Sequence, residues 1–181
     1  MCGIVGFCGR RADREEILKA MMDAIAHRGP DGAGSYFGDG VALGHRRLSI
    51  IDIEGGRQPM FNEDKRLAVV FNGEIYNFME LRAQLQAAGH TFATDHSDTE
   101  VLLHGYEEWG EGMLEKLRGM FAFVIWDKAS RTLFGARDIF GIKPFYYYQN
   151  NDLLLFGSEI KSFLPHPGFV KELNEERLEL Y

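Results

Sequence analysis

Residues 1–9 read MCGIVGFCG, with a cysteine directly behind Met1 and then a β-branched and aromatic run. The run from Ile4 to Cys8 is typical of a buried strand. Methionine is removed efficiently when the next side chain is small, so Cys2 would become the first residue of the processed chain. Its α-amine, with a pKa near 8, could then take the thiol proton, which makes one residue both nucleophile and base. The alternative is that Cys2 is a small buried hydrophobic residue. Judged by position alone, this is the simpler interpretation.

Composition and charge place the chain among soluble globular domains. Its 181 residues, 45% of them hydrophobic, suffice for one domain with a sizeable core. The formal net charge is −7 and no basic stripe is present, which argues against a nucleic-acid partner. Two cysteines make no disulfide framework, and neither a membrane-length apolar run nor a signal peptide is visible. We therefore expect a cytoplasmic protein without a membrane partner.

Hydrophobic periodicity predicts a mixture of helices and strands. Three stretches with helical spacing each begin at a capping pair: Asp13 with Glu16, Asn77 with Glu80, and Ser97 with Glu100. Strands are predicted on both sides of a turn at residues 38–40, then in LSIIDI, LAVVFNG, GMFAFVIWD, RTLFGARD, PFYYYQ and DLLLFGS. Short turns join the last four strands, which predicts an antiparallel meander. The expected class is α+β, with sheets between helical layers.

A thiol that attacks an amide also needs donors for the developing oxyanion. Asn72 offers a side-chain N–H, and Gly73 lets a backbone N–H approach a ligand, although an Asn-Gly pair is also a common hairpin turn. Arg47 before an apolar strand suits a carboxylate, although most arginines simply lie at the surface. Asp98 could stabilise the first turn of a helix or pair with an ammonium group. Cys8 is expected to be structural, and the six histidines lack metal-ligand spacing, so no metal is expected.

Seven motifs, taken in order and spacing, resemble the glutaminase domain of the glutamine-hydrolysing asparagine synthetases. They are MCGIVGF, AHRGPDG, GHRRLSIID, VVFNGEIYN, HSDTEVLL, MFAFVIWD and ARDIFGIKPFYY. The resemblance covers residues 2–165 and places the chain among the class II glutamine amidotransferases, which are N-terminal-nucleophile hydrolases. HRGPDG and NGEIYN are typical of this branch. Its sister branches, glucosamine-6-phosphate synthase and phosphoribosylpyrophosphate amidotransferase, carry other residues there.

The resemblance implies a four-layer αββα sandwich of two antiparallel sheets and the hydrolysis of L-glutamine to L-glutamate and ammonia. Cys2 matches the nucleophile that forms a thioester, with its freed amine as base. Asn72 and Gly73 match the oxyanion hole. The substrate-binding positions are matched as follows: Arg47 for the α-carboxylate, Leu48, Ser49, Ile50 and Ile51 for the adjoining wall, and Glu74 and Asp98 for the ammonium group. Arg28 and Gly29 match a supporting loop beside the nucleophile.

The chain departs from the resembled proteins by lacking a synthetase part. No Ser-Gly-Gly-x-Asp-Ser pyrophosphate loop is present, so ATP and magnesium are expected only in an absent synthetase domain and this chain is expected to need no cofactor. We expect the glutaminase domain to span residues 1–165 and a linker towards the synthetase domain to start at 166–181. The expected partners are L-glutamine and that domain, with a homodimer as a further candidate. With Met1 still attached, Cys2 would have no free amine and the protein should be inactive.

Two alternatives remain open from the sequence. The chain could be a non-catalytic glutamine-binding or regulatory module that keeps the fold. It could also be the glutaminase half of an amidotransferase with another acceptor, because the acceptor site would lie in the absent domain.

Overall fold

The computed structural model of the protein describes residues 1–48 and 56–172. In this part of the chain the strands are β1 (Gly3–Cys8), β2 (Gly32–Gly38), β3 (Val41–Arg47), β4 (Met60–Phe61), β5 (Leu67–Ile75), β6 (Gly119–Asp127), β7 (Thr132–Arg137), β8 (Tyr146–Asn150) and β9 (Leu153–Gly157). The α-helices are α1 (Arg14–Ala24), α2 (Phe78–Ala87) and α3 (Asp98–Trp109), and short 3₁₀ turns lie at Ala26–Arg28, Gly110–Glu115 and Ile160–Phe163. Within these ranges no helix combines the length and apolar character needed to cross a bilayer.

The strands form two antiparallel sheets. The first sheet has the order β2-β3-β1-β9-β8 and the second has the order β4-β5-β6-β7. The N-terminal strand β1 therefore lies in the middle of the first sheet, between β3 and β9. The predicted hairpin is confirmed, with Gly38 opposite Val41 and Gly40 at φ +75° in the turn. The predicted strand LSIIDI begins at Leu48 and otherwise falls outside the described residues.

Side-chain alternation divides the core into three parts that separate four layers. Val5 and Phe7 of β1 pack with α1, whereas Ile4 lies in the cluster between the two sheets. In β5, Ala68 and Val70 face the same inter-sheet cluster, and the alternate positions pack with α2 and α3. The layer order is thus α1, first sheet, second sheet, then α2 with α3, as the resemblance implied.

The expected meander of the last four strands is wrong. β6 pairs with β7 in the second sheet, and β8 pairs with β9 in the first. The segment 138–145 carries the chain from one sheet to the other, because β9 takes its place beside β1. Alternation and turn residues identify each hairpin, but they contain no information about the sheet that a hairpin joins.

The capping pair at Ser97 is present in part. Ser97 Oγ accepts a hydrogen bond from the backbone N–H of Glu100 at 3.4 Å, as predicted for the start of α3. The Glu100 carboxylate does not return to Ser97; it accepts hydrogen bonds from the backbone N–H groups of Ala93 and Thr94 at 2.6 and 2.9 Å. Glu100 therefore holds the loop that precedes the helix instead of closing a capping box.

The other two predicted capping pairs are wrong. Asp13 makes no capping hydrogen bond, since Arg11 beside it engages its carboxylate at 2.8 Å. Asn77 also makes no cap at α2. Its side chain instead bridges to the turn before β6, donating to the Lys116 carbonyl and accepting from the Arg118 N–H at 3.0 and 2.9 Å. In both cases a stronger or more distant partner competes for the capping side chain.

Packing continues past residue 165. The His166 ring meets Phe7 edge-on at 5.0 Å between ring centroids. Phe169 packs against Tyr148 at 4.9 Å and Phe163 at 5.7 Å. Residues 166–169 thus contribute to the core beneath α1, whereas the expected start of a linker at 166 stays a prediction.

Candidate active site

Cys2 lies directly before the central strand β1 and is held through both its backbone and its side chain. Its carbonyl accepts a hydrogen bond from Arg28 Nε at 3.0 Å, and its thiol donates to the Leu48 carbonyl at 3.8 Å between sulfur and oxygen. The side chain is half-buried. One of the predicted pocket residues, Leu48, therefore contacts Cys2 through its backbone.

The pleat of the first sheet brings Cys2 and Arg47 to one face. Ile4 lies between the sheets, so Cys2, two residues earlier, continues on the same face. In β3 the same face carries Leu43 and, by alternation, His45 and Arg47. Register places Gly3 opposite Arg46, so Cys2 and Arg47 meet at the same end of the sheet.

Asn72 lies inside β5, opposite Ala122, and not in a hairpin turn. It follows Val70 on the inter-sheet face, so it looks towards the same layer as Cys2. Only 2% of Asn72 is exposed, and its Nδ2 has no hydrogen-bond partner among the described residues. Leaving a buried donor unpaired costs about 1–3 kcal/mol, so this amide is prepared for a ligand that supplies an acceptor.

Gly73 presents its backbone N–H away from the neighbouring strand. Its partner across the sheet, Phe121, accepts from the Asp138 N–H at 2.8 Å and donates to the Asp138 carboxylate at 3.2 Å. Gly73 is therefore a non-hydrogen-bonded position of the β5–β6 ladder. Its N–H points to the same side as those of Phe71 and Ile75, which donate to side chains outside the sheet.

Sterics at residue 73 require glycine. A Cβ built there would lie 2.4 Å from the Met120 carbonyl oxygen and 2.7 Å from the Phe121 Cα. Both atoms belong to the backbone of the paired strand, so they cannot rotate away. The Asn-Gly pair thus combines a buried amide donor with a backbone position that tolerates no side chain.

His45 joins the two sheets next to Asn72. Its Nε2 donates to the Phe71 carbonyl at 3.2 Å, and 1% of the residue is exposed. Burial lowers the pKa of His45 to about 4. The hydrogen bond to the Phe71 carbonyl raises the pKa and offsets part of this effect, and the charge of Arg47 lowers it further. His45 is consequently neutral near pH 7 and serves as an uncharged link between β3 and β5.

Two carboxylates meet where β5 ends. Asp98 Oδ2 accepts the Ile75 N–H at 3.0 Å from the first turn of α3, while Glu74 continues the inter-sheet face and is exposed. Burial raises the pKa of Asp98, and the charge of Glu74 raises it further. A carboxylate whose pKa is raised by a neighbouring carboxylate favours a cationic ligand. The helical and the ammonium-binding interpretations of Asp98 are therefore compatible.

Arg28 is anchored by Glu159, a residue that sequence reasoning missed. The Arg28 guanidinium donates to Glu159 at 3.1 Å while its Nε holds Cys2. Burial raises the pKa of Glu159, but hydrogen bonds from Lys161, Arg28 and His27 outweigh it and lower the pKa to about 2. Since Glu159 lies far along the chain, no local pattern could reveal this contact. Arg28 Nη2 has no hydrogen-bond partner within the described residues.

The loop of the HRGPDG motif packs closely against the end of β3. A Cβ at Gly29 would lie 2.4 Å from the Arg46 carbonyl carbon and 2.5 Å from the Arg47 N. The Arg47 guanidinium is close to Gly56, where a Cβ would come within 2.7 Å of Nη2. Three predicted wall residues, Ser49, Ile50 and Ile51, lie outside the described residues.

Two cavities flank this region without coinciding with it. The larger, about 770 Å³, surrounds Cys8 at the opposite end of β1, about 20 Å from Cys2 at strand rise. Burial raises the pKa of Cys8 to about 11, which agrees with the structural role expected for this thiol. The smaller cavity, about 390 Å³, is lined in part by Arg28, Glu159 and Tyr146. It therefore opens beside the arginine that holds Cys2.

Curated proteins resemble this chain over nearly its whole length. Among curated proteins, the chain is 50% identical to asparagine synthetase [glutamine-hydrolyzing] 1 of Bacillus subtilis and 45% identical to asparagine synthetase [glutamine-hydrolyzing] 3 of the same organism. These matches cover 100% and 98% of the chain but only 29% and 30% of the two relatives, so the chain spans about 30% of their length.

A solved structure shares the fold. The glutamine phosphoribosylpyrophosphate amidotransferase of B. subtilis, complexed with ADP and GMP, matches with a TM-score of 0.75 and 25% identity, over 90% of this chain and 43% of that protein. A family model described as a glutamine amidotransferase domain matches residues 1–181. The chain belongs to the glutamine amidotransferase domain family.

Proposed function

We propose that this protein hydrolyses L-glutamine to L-glutamate and ammonia, with Cys2 as nucleophile after removal of Met1. The observation that carries the proposal is the buried Asn72 amide, which lacks a partner among the described residues and shares the inter-sheet face with Cys2. A donor in that state stabilises negative charge that develops on a bound substrate.

The geometry supports a thioester mechanism. The free α-amine of Cys2 would take the thiol proton, and the thiolate would attack the carboxamide carbon of glutamine. The carbonyl oxygen would gain negative charge and accept hydrogen bonds from Asn72 Nδ2 and the Gly73 N–H. Collapse would expel ammonia, which carries the proton away from the amine, and leave a thioester. A water molecule, deprotonated by the same amine, would then release glutamate.

Substrate selection follows from the charges around this centre. Arg47 would bind the α-carboxylate, and Glu74 with Asp98 would bind the α-ammonium group. The wall expected at Leu48, Ser49, Ile50 and Ile51 would line the remaining side. A cation at one end and a carboxylate pair at the other match a free amino acid and reject a peptide amide, whose backbone lacks both charges.

The relatives also suggest which reaction uses the ammonia. Their printed names are those of glutamine-hydrolysing asparagine synthetases, of which this chain matches about 30%. We infer that the ammonia supplies an ATP-dependent asparagine synthetase part of a cytoplasmic enzyme, and a homodimer is the assembly we propose. The alternatives are another ammonia acceptor and a glutamine-binding module without turnover.

The test is glutamate release from L-glutamine by the purified protein, with intact mass confirming the loss of Met1. Cys2→Ala should abolish release. Asn72→Ala should lower kcat by about 10²–10³-fold because it removes one oxyanion donor, with KM changed little. The matched control is Asn150→Ala, since Asn150 is exposed and its side chain donates to the nearby Tyr148 hydroxyl.

Three results would contradict the proposal. Release that persists in Cys2→Ala would exclude the N-terminal thiol. Glutamine binding without turnover, in protein with a confirmed free Cys2 amine, would favour the binding module. Equal rates in Asn72→Ala and Asn150→Ala would remove Asn72 from the oxyanion hole.

A further inference from the structure

A second polar cluster lies in the outer helical layer, on the side of the second sheet away from Cys2. His104 and Glu107 are three residues apart on α3, so they share one face of that helix. His90 follows the end of α2 and Gly89. The His104 side chain is 2% exposed, and those of His90 and Glu107 are 18% and 20% exposed. The cluster is thus largely buried with one side open to water.

Each of these three residues places a possible ligand atom close to those of the other two. Glu107 Oε2 lies 3.2 Å from His104 Nδ1 and 3.9 Å from His90 Nδ1. The three side chains offer ligand atoms that all lie within 4.8 Å of one another. Ligands around a tetrahedral ion are separated by about 3.3–3.8 Å when the metal–ligand bonds are about 2.0–2.3 Å. Small side-chain rotations would therefore bring the three ligand atoms to the separations found around a tetrahedral ion.

The second nitrogen of each imidazole faces a carboxylate. His90 Nε2 lies 3.1 Å from Glu108 Oε2. His104 Nε2 lies 3.5 Å from Glu63 Oε1 and 3.7 Å from Glu100 Oε1. Metal-binding histidines in proteins almost always donate their other ring N–H to a carboxylate, a carbonyl or water, which sets the tautomer and leaves the first nitrogen as a lone-pair donor.

The second oxygen of Glu107 is occupied in the same way. Asn62 Nδ2 donates to Glu107 Oε1 at 2.8 Å, and Arg66 lies 3.6 Å from that same oxygen. Oε2 is left to face the two imidazoles. Each of the three side chains is therefore oriented by an outer partner while its other atom points inward.

We propose that His90, His104 and Glu107 bind one Zn²⁺ ion. Two imidazoles and a carboxylate are a common zinc ligand set, and the open side leaves a fourth position for water. The carboxylates of Glu63, Glu100 and Glu108 add negative charge that favours a cation. The competing explanation is that the two histidines only form hydrogen bonds with the surrounding carboxylates and bind no metal. The two explanations predict different numbers of Zn²⁺ ions bound per protein.

The role of the ion would be structural. His90 belongs to the loop after α2, and the other two ligands belong to the last turns of α3, so the ion would join these helices. Glu107 lies about 13 Å along the axis of α3 from Asp98, which keeps the ion out of the reaction centre. Its effect should therefore appear in stability, with the geometry around Asp98 unchanged.

The experiment is a titration of chelator-treated Cys2→Ala protein with Zn²⁺ by calorimetry, and with Co²⁺ by visible absorption. The Cys2→Ala background removes the half-buried Cys2 thiol as a competing ligand, and the raised pKa of Cys8 makes that thiol a poor ligand. We expect one equivalent of Zn²⁺, an intense Co²⁺ spectrum typical of four-coordination, and a higher melting temperature with the ion bound.

Three variants locate the site. His90→Gln, at a half-buried position, should weaken Zn²⁺ binding by at least 100-fold. Glu108→Gln should weaken it by about 10–100-fold, the usual effect of changing an outer partner. His96→Gln, an exposed histidine before α3, is the control and should bind as the parent does.

Binding of less than one equivalent by the parent would overturn the proposal, as would equal affinity in His90→Gln and His96→Gln. A weak, octahedral-type Co²⁺ spectrum would also overturn it, because that spectrum indicates exposed carboxylates as the ligands. Circular dichroism of each variant separates lost binding from lost folding.

Discussion

Replacing His45 with glutamine should reduce the dependence of unfolding free energy on pH between pH 7.5 and 5. Burial lowers the pKa of His45 from 6.5 to about 4 in the folded protein. Below pH 6.5 residue 45 is protonated in the unfolded chain but stays neutral in the folded chain. The free energy of unfolding therefore falls as pH falls, and this decrease is complete below pH 4. Glutamine keeps an N–H donor for the Phe71 carbonyl but cannot take up a proton.

The magnitude follows from the two pKa values. For pKa values of 6.5 and about 4, linkage gives a loss of about 1.4 kcal/mol at pH 5.5 and about 2 kcal/mol at pH 5.0, approaching a limit of ~3.4 kcal/mol. Wild type should therefore lose about 2 kcal/mol more than His45→Gln between pH 7.5 and 5.0. Other groups contribute equally to both proteins. The raised pKa of Asp98, for example, stabilises both as pH falls.

The assay is urea unfolding of both proteins at pH 7.5, 6.5, 5.5 and 5.0, with ΔG from linear extrapolation. Parallel curves for the two proteins would refute the argument, because they would mean that His45 titrates alike in both states. The argument would also be refuted if the free energy of unfolding of the wild type fell less than that of His45→Gln as pH is lowered. The comparison needs no assumption about catalysis.

Two further predictions concern the proposed reaction centre. Gly73→Ala should abolish glutaminase activity and lower the melting temperature, since the new Cβ would lie 2.4 Å from the Met120 carbonyl oxygen; Gly112→Ala, where a Cβ meets nothing within 4 Å, should change neither. Asp98→Asn should raise the KM for glutamine by about 10–100-fold, the value of a charged hydrogen bond, with a smaller change in kcat. Asp95→Asn, at an exposed position nearby, should leave steady-state kinetics unchanged, and equal KM values in the two variants would remove Asp98 from ammonium binding.

Local patterns in the sequence identified the elements well. Alternation in residues 67–75 predicts β5, and the same alternation shows that Asn72 shares a face with Ala68 and Val70. Gly40 and Gly89 mark the turns and helix ends that their positive φ angles require. These features depend on residues that are neighbours in the chain, so a single sequence contains them.

Long-range partners could not be predicted in this way. Glu159 accepts a hydrogen bond from Arg28, which lies far from it in the sequence. Asp138 forms hydrogen bonds with both the N–H and the carbonyl of Phe121, so the Gly73 N–H is not part of the β5–β6 hydrogen-bond ladder. Neither carboxylate differs in its local context from an ordinary surface acid. The resemblance to a known family indicated Asn72 and Gly73, but only the packed structure shows why the donors at that point are available.

The position of β1 between β3 and β9 has a consequence for biosynthesis. The pairing of Gly3 with Arg46 can form early in synthesis. Val5 pairs with Gly157, and Ile4 forms two hydrogen bonds with Ser158, so these contacts form only after residues 157 and 158 have been made. At about 5–20 residues per second, translation from residue 47 to residue 157 takes about 5–20 s. During that interval β1 has a neighbouring strand on one side only, so the first residues lie at an unfinished sheet edge. Met1 is 57% exposed in the complete fold, so the proposed removal of Met1 has access to the N-terminus both before and after the last strand pairs.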